Sequence, residues 1–294
     1  MKYFCLLLFL LACTALNAAT LKLPAAALTS MHVNADSDTI IRKQSASVGV
    51  SYGSDVQFFG RTGPITYPFV SADAIYNTKN GFFIYASSLK VLGYDPFFDE
   101  IDLGGGYLIN YSKKFTGAIS YTRFLFNKDA AQVIKSASSN DVDYKNSFDW
   151  KIAKSSVVLD YLFGQENDVF VTLNTSKYFE TSWSIFDDKD YLSFEPTVSA
   201  ILGTQNFVQR YSLDHAFQMD INDIYYNNPN NPHLARDNGE FNALNYSFKL
   251  PIAYNRPHYT LEFSYKYSIP VNVEGMLMNR RESFYNLTFY YVFY

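Results

Sequence analysis

The sequence predicts an all-β chain that closes into an antiparallel transmembrane β-barrel of about twelve strands, joined as an up-and-down meander. Three observations predict it. Segments of alternating polarity recur from Ser45 to Tyr294. Aromatic residues make up 18% of the chain, with 25 Tyr, 26 Phe and 2 Trp, more than a soluble core calls for. Short and long connections alternate between the segments. A helical membrane protein is excluded: mean hydropathy is -0.11, and after residue 20 no apolar run approaches the roughly 18 residues a membrane helix needs. Alternating strands average to neutral hydropathy and escape that test. The net charge of -4 and a pI of 5.6 give no electrostatic footprint for a phosphate backbone, so no nucleic-acid partner is expected.

The first element is a targeting segment, residues 1–19. Lys2 supplies a positive end, Tyr3 to Ala12 an apolar run, and Ala15, Ala18 and Ala19 the small residues of a cleavage site. The preferred cut falls after Ala18 or Ala19. Leu10-Leu11-Ala12-Cys13 resembles a lipoprotein signal, but Leu11 stands where such signals carry a small residue, which argues against acylation of Cys13. The only cysteines are Cys5 and Cys13. A chain cut after the signal therefore has no disulfide and no thiolate metal site. Residues 20–44 read as a periplasmic extension, and residues 45–294 as the barrel.

Strands are expected at 45–57, 68–77, 81–91, 100–112, 115–127, 153–163, 168–180, 190–202, 205–212, 241–254, 259–269 and 282–294. Segment 259–269 is the cleanest, with Leu261, Phe263 and Tyr265 on one face and Glu262, Ser264 and Lys266 on the other, since side chains on a strand alternate. Pro196 and Pro251 each remove a ladder donor, so a bulge or strand end is expected at both. Tight links carry turn residues at 77–81, 111–114, 164–167, 203–204 and 255–258, and longer stretches run at 58–67, 92–99, 128–152, 181–189, 213–240 and 271–281. Short periplasmic turns, longer outer loops, an even strand count and both termini inside form the pattern of bacterial single-chain barrels. A soluble β-sandwich also alternates, but it explains neither the aromatic content nor the sided loop lengths.

The chain ends on an amphipathic strand, 282–294, closing on an aromatic residue. This resembles the terminal signal of Gram-negative outer-membrane β-barrel proteins of porin-like type. The resemblance implies a cell outer-membrane location, a lipid-facing wall and engagement of the barrel-assembly machinery through the last strand. That strand departs from the usual signal: counted back from Tyr294 the alternate set passes through Thr288 and Asn286, whereas Phe293, Tyr291, Phe289, Leu287 and Tyr285 are the stronger apolar set.

If the apolar faces meet lipid, Asp73, Asp102, Glu195, Lys249, Glu262 and Lys266 line the lumen. A charge facing lipid at mid-depth costs about 2–4 kcal/mol for Lys or Arg, which turns such groups inward. The sequence therefore reads as a narrow channel for small polar solutes. Loop 128–152, with Asp141, Asp143, Lys145 and Asp149, is long enough to fold inward as a constriction, although a charge run of this kind is more often a solvated loop. One alternative is an outer-rim hydrolase built on loop 213–240, where His215 and His233 lie among Asp214, Asp220, Asp223, Asp237 and Glu240. Another is a plugged structural or adhesion barrel. The acidic cluster matches no calcium-loop spacing. No catalytic, cofactor-binding or metal-ligating residue is assigned, and no cofactor is expected.

Overall fold

The computed structural model describes residues 44–63, 66–127, 138–207, 240–273, 277 and 279–294. The expected signal peptide and nearly all of the extension lie outside them. Fourteen strands form one sheet: β1 (Ser45–Gly53), β2 (Phe69–Asn77), β3 (Phe82–Val91), β4 (Glu100–Asn110), β5 (Phe115–Phe126), β6 (Ser138–Asp149), β7 (Lys154–Gly164), β8 (Asp168–Ser176), β9 (Phe179–Glu180), β10 (Tyr191–Phe194), β11 (Thr197–Gly203), β12 (Asn242–Asn255), β13 (Tyr259–Pro270) and β14 (Glu282–Phe293). Sequential strands pair antiparallel, and β1 pairs β14 from Ala46↔Phe293 to Gly53↔Asn286. β10 and β11 lie end to end along β12 as one stave, and β9 is a short tab on β10. The wall is thus a closed antiparallel barrel of 12 strands.

The last seam joins β8 to β11. Thr204 N donates to Val169 O at 3.1 Å, and Lys177 N to Pro196 O at 3.2 Å. The approach is close enough that a Cβ on Gly203 would stand 2.4 Å from the Phe170 ring and 2.7 Å from Val169 O, so only glycine fits.

The two prolines resolve together. The β10 ladder ends at Phe194↔Ile252 and the β11 ladder begins at Thr197↔Lys249. Pro196 is the expected strand end. Pro251, where a bulge or end is also expected, instead lies inside a continuous β12, opposite the break that Pro196 creates. One interruption accommodates both missing donors.

Three expectations are corrected. Residues 138–149, expected within loop 128–152, form β6, and the chain turns at Trp150–Ala153, closed by Trp150 N to Ala153 O at 2.9 Å. Their inward row is Asp141, Asp143, Lys145, Ser147 and Asp149, a charged set that resembles a solvated loop when read linearly. Residues 205–207, expected to begin a strand at 205–212, are not strand, and 208–212 lie outside the described residues. The 203–204 link is therefore not a hairpin. The wall still counts 12 strands because β6 enters it and β11 pairs directly with β12, so the links between them change ends. The 164–167 link sits at the long-loop end, where Ser138 Oγ donates to Glu166 O at 2.8 Å. The 181–189 stretch sits at the short-turn end: Lys177 Nζ donates to Lys151 O at 2.9 Å, and Asp187 pairs with Arg256.

Candidate functional site

Register gives the place of each residue expected at the lumen. Glu262, Ser264, Lys266 and Ser268 of β13 share one face, and the last three are buried, while Leu261 and Phe263 are exposed on the other. Through the strand pairings the inward row runs Gly49, Asp73, Ser87 and Asp102 across β1 to β4. Asp73 and Asp102 are each 7% exposed, and Ser87 Oγ, between them, donates to Asp102 Oδ2 at 3.0 Å. On the far wall Lys249 faces Lys266 in register. Each is engaged elsewhere: Lys249 Nζ lies 3.7 Å from Glu262 Oε1, and Lys266 Nζ donates to Gln57 Oε1 at 2.5 Å. Glu195 stands at the β10–β11 break and accepts from Ser176 Oγ at 2.8 Å, tying across the seam. The structure thus brings Lys249, Glu262 and Lys266 together and sets Asp102 six steps away from Lys249 in either direction round the ring. Glu100 and Asp160 also stand on this inward face, outside the expected set. Asp141 and Asp143, expected in a loop, lie in β6, where the register puts Asp143 beside Ser120 and Asp160. Period-two charge over 141–149 is the signal that would have found them.

Of the stretch 128–152, residues 138–149 are wall and 128–137 lie outside the described residues. Among the described residues the segment that narrows the lumen is the connection between β1 and β2. Asp55 Oδ1 accepts from Val56 N at 2.9 Å and Tyr67 N at 2.7 Å, pinching the base. Burial pushes this carboxyl up to about 6, against the pull of those two backbone donors. The tip is a tight hairpin: Phe58 N donates to Arg61 O at 2.9 Å and Arg61 N to Phe58 O at 2.8 Å. Phe59 (φ 44) and Gly60 (φ 75) occupy the left-handed region. A Cβ on Gly60 would meet Asn245 Cβ of β12 at 2.5 Å, so the tip is pressed against the opposite wall.

What holds the tip there is partly apolar. Phe59 stacks on Phe170 of β8, with ring centroids 3.7 Å apart and planes at 8°. Leu162, Ile201, Phe207, Leu244 and Leu277 complete a buried cluster. A buried phenylalanine of this kind is worth about 1.5–3 kcal/mol over an exposed one. β8 stands six steps from β2 in the ring, so the loop crosses the lumen. The rest of the anchor is polar. Arg61, with 0% exposure, donates from Nη1 to Leu244 O at 2.7 Å, from Nη2 to Val271 O at 2.8 Å, and from Nε and Nη2 to Gln205 Oε1 at 3.0 and 2.7 Å. Thr62 Oγ1 donates to Glu282 Oε2 at 2.7 Å. An aromatic pair followed by glycine and arginine, inside a loop expected to be wet, is the sequence signal for such a tip.

The hydrolase alternative rests on His215 and His233, both outside the described residues. His258 lies at the β12–β13 turn with its ring near Tyr291 and Tyr294.

The outer face is the inverse of the lumen. Val50, Phe82, Ile84, Leu103, Phe263 and Leu287 are all exposed, a continuous apolar surface that water would not tolerate and lipid requires. The chain folds as a closed β-barrel with a lipid-facing outer wall. In β14 the outward set is Tyr285, Leu287, Phe289 and Phe293, which fixes the last strand on its stronger apolar alternation. No family model and no curated protein matches the sequence. Among solved structures the barrel is similar to the KdgM porin (8% identity, TM-score 0.46, covering 84% of this chain and 99% of that one). It is likewise similar to the NanC porin (13%, 0.46, 83% and 98%) and to an outer membrane channel from Pseudomonas putida F1 (11%, 0.42, 89% and 100%). At these identities the likeness is one of barrel architecture, and no solute or mechanism passes from those proteins to this chain.

Proposed function

We propose that this protein is a narrow outer-membrane channel for small polar solutes, with an aperture set by the loop between β1 and β2. The observation that carries the reading is that loop: its tip spans the lumen and is fastened to the far wall through Arg61 and Phe59. Charged and polar side chains share the rest of the inner face with Ile75, Phe83, Phe284 and Tyr290, and Asp73, Asp102, Glu195, Lys249, Glu262 and Lys266 are the charged groups along the proposed path. Dipoles and charges at such a passage choose what crosses. In the same reading residues 1–19 are a cleaved signal peptide, and the outward apolar stripe of β14 is the handle for the assembly machinery.

The test is conductance in a planar bilayer. The parent should give small, discrete steps, and replacing Phe58–Arg61 by a Gly-Ser tip should raise the step size about twofold or more. Absence of conductance in both would sink the channel reading. Conductance in the replaced-tip protein alone would favour a plugged scaffold.

A further inference from the structure

We infer that the pathway prefers cations, and that Asp73 and Asp102 set the preference. The inference rests on the channel reading and names its solute class. Inward-facing carboxyls dominate one continuous run of wall. Glu100, Asp102, Asp141, Asp143 and Asp160 join Asp73 along β2 to β7. Away from the Asp149↔Lys154 pair at the turn, the cation sharing that inward face is Lys145. The lysines of the other wall do not offset this. Lys249 is paired with Glu262 at 3.7 Å, and Lys266, which donates to the neutral Gln57 of the loop, is one buried cation against the six carboxyls of β2 to β7.

A second observation concerns unmet hydrogen-bonding capacity. Asp73 Oδ2 and Asn77 Oδ1 are buried side-chain atoms of β2 with no hydrogen-bond partner. Their residues are 7% and 6% exposed. Both atoms are acceptors, and Asp102 stands on the same inward face with Ser87 and Glu100 as its partners. A buried carboxylate oxygen without a donor is costly, and the species that relieves it is an ammonium group or a metal cation with its water. An anion would add to the cost. Low-dielectric walls focus such a field along the passage, as rings of Asp and Glu do in cation channels. The solutes favoured are alkali cations and small amines.

The full chain in a planar bilayer under a KCl gradient gives the answer from its reversal potential. A permeability ratio of K⁺ over Cl⁻ of about five or more is expected for the parent. Asp73→Asn and Asp102→Asn, which keep shape and an acceptor, should each lower it about twofold, and the double variant should approach unity. Only preparations whose gel mobility shifts on heating, and which are therefore closed barrels, are compared. A parent that conducts but prefers chloride overturns the inference and leaves the channel reading standing. So does an unchanged ratio in a folded double variant. A parent that does not conduct removes both. Should neither variant close, the parent's own ratio still decides.

Discussion

The mouth of this barrel and the middle of its lumen solve the same problem in opposite ways. Both must fill or line a space enclosed by 12 strands. The mouth is made dry: Phe59, Leu162, Phe170, Ile201 and Leu244 pack as a small globular core, and Arg61 is satisfied within it by carbonyls and Gln205. The middle is left polar: Asp73, Ser87, Asp102 and Lys266 hold partial sets of partners. The lesson is that rigidity and permeability are divided between levels of one tube. A closed core fixes the aperture, and an incompletely satisfied wall interacts with whatever passes.

Four substitutions or conditions break or sharpen that contrast. Phe59→Ala should have the largest effect. It opens a cavity against Phe170 and Leu244, and heat or urea unfolding in detergent should reveal a loss of about 3–5 kcal/mol. Gly60→Ala comes next. It forces a side chain into φ 75 and against Asn245, so a loss of about 1–3 kcal/mol is expected by the same measurement, with a larger or noisier conductance as the tip lifts. In the polar middle the expectation reverses. Ser87→Ala removes one hydrogen bond to the buried Asp102 and should lower stability by about 1–3 kcal/mol, while the reversal potential moves measurably. An effect as large as that of Phe59→Ala would erase the distinction between the two levels.

The smallest effect is one of pH. Asp55 binds its proton up to about 6 in the folded chain, against an ordinary 3.8. The folded state therefore holds more protons than the unfolded one between those values. Stability contributed at this site is fully present below 3.8 and is lost as pH rises through 6. Acidification should tighten the loop base, read as reduced proteolysis of the β1–β2 connection. Asp55→Asn should flatten the dependence while keeping an acceptor for Val56 and Tyr67.

The same division decides what was legible in the sequence. β13 could be read because lipid on one side and lumen on the other impose strict alternation, visible as Leu261 and Phe263 against Glu262 and Lys266. β6 could not, because its outward residues include Asn140 and Asn146 and its inward ones are nearly all charged. Contrast between faces, and not strand propensity, is what linear reading detects. Its turn was equally silent: Lys151 adopts φ 70 without glycine or asparagine, helped by a bond from its N–H to Asp149 Oδ1 at 2.7 Å. Asp73 and Asp102 sit in segments where the same alternation is visible, in β2 and β4. The crossing loop was not, since nothing in Phe58–Arg61 states which distant strands will receive it.

That distance has a consequence for the order in which the molecule comes into being. Arg61 is held by groups 144, 183 and 210 residues further along the chain. Contacts this remote are the last a folding chain can close, because the intervening loop must be ordered before they return anything. The aperture is thus a property of the finished barrel. A chain interrupted before β13 ends would have most of a wall and no constriction, and the narrowing itself reports that assembly is complete.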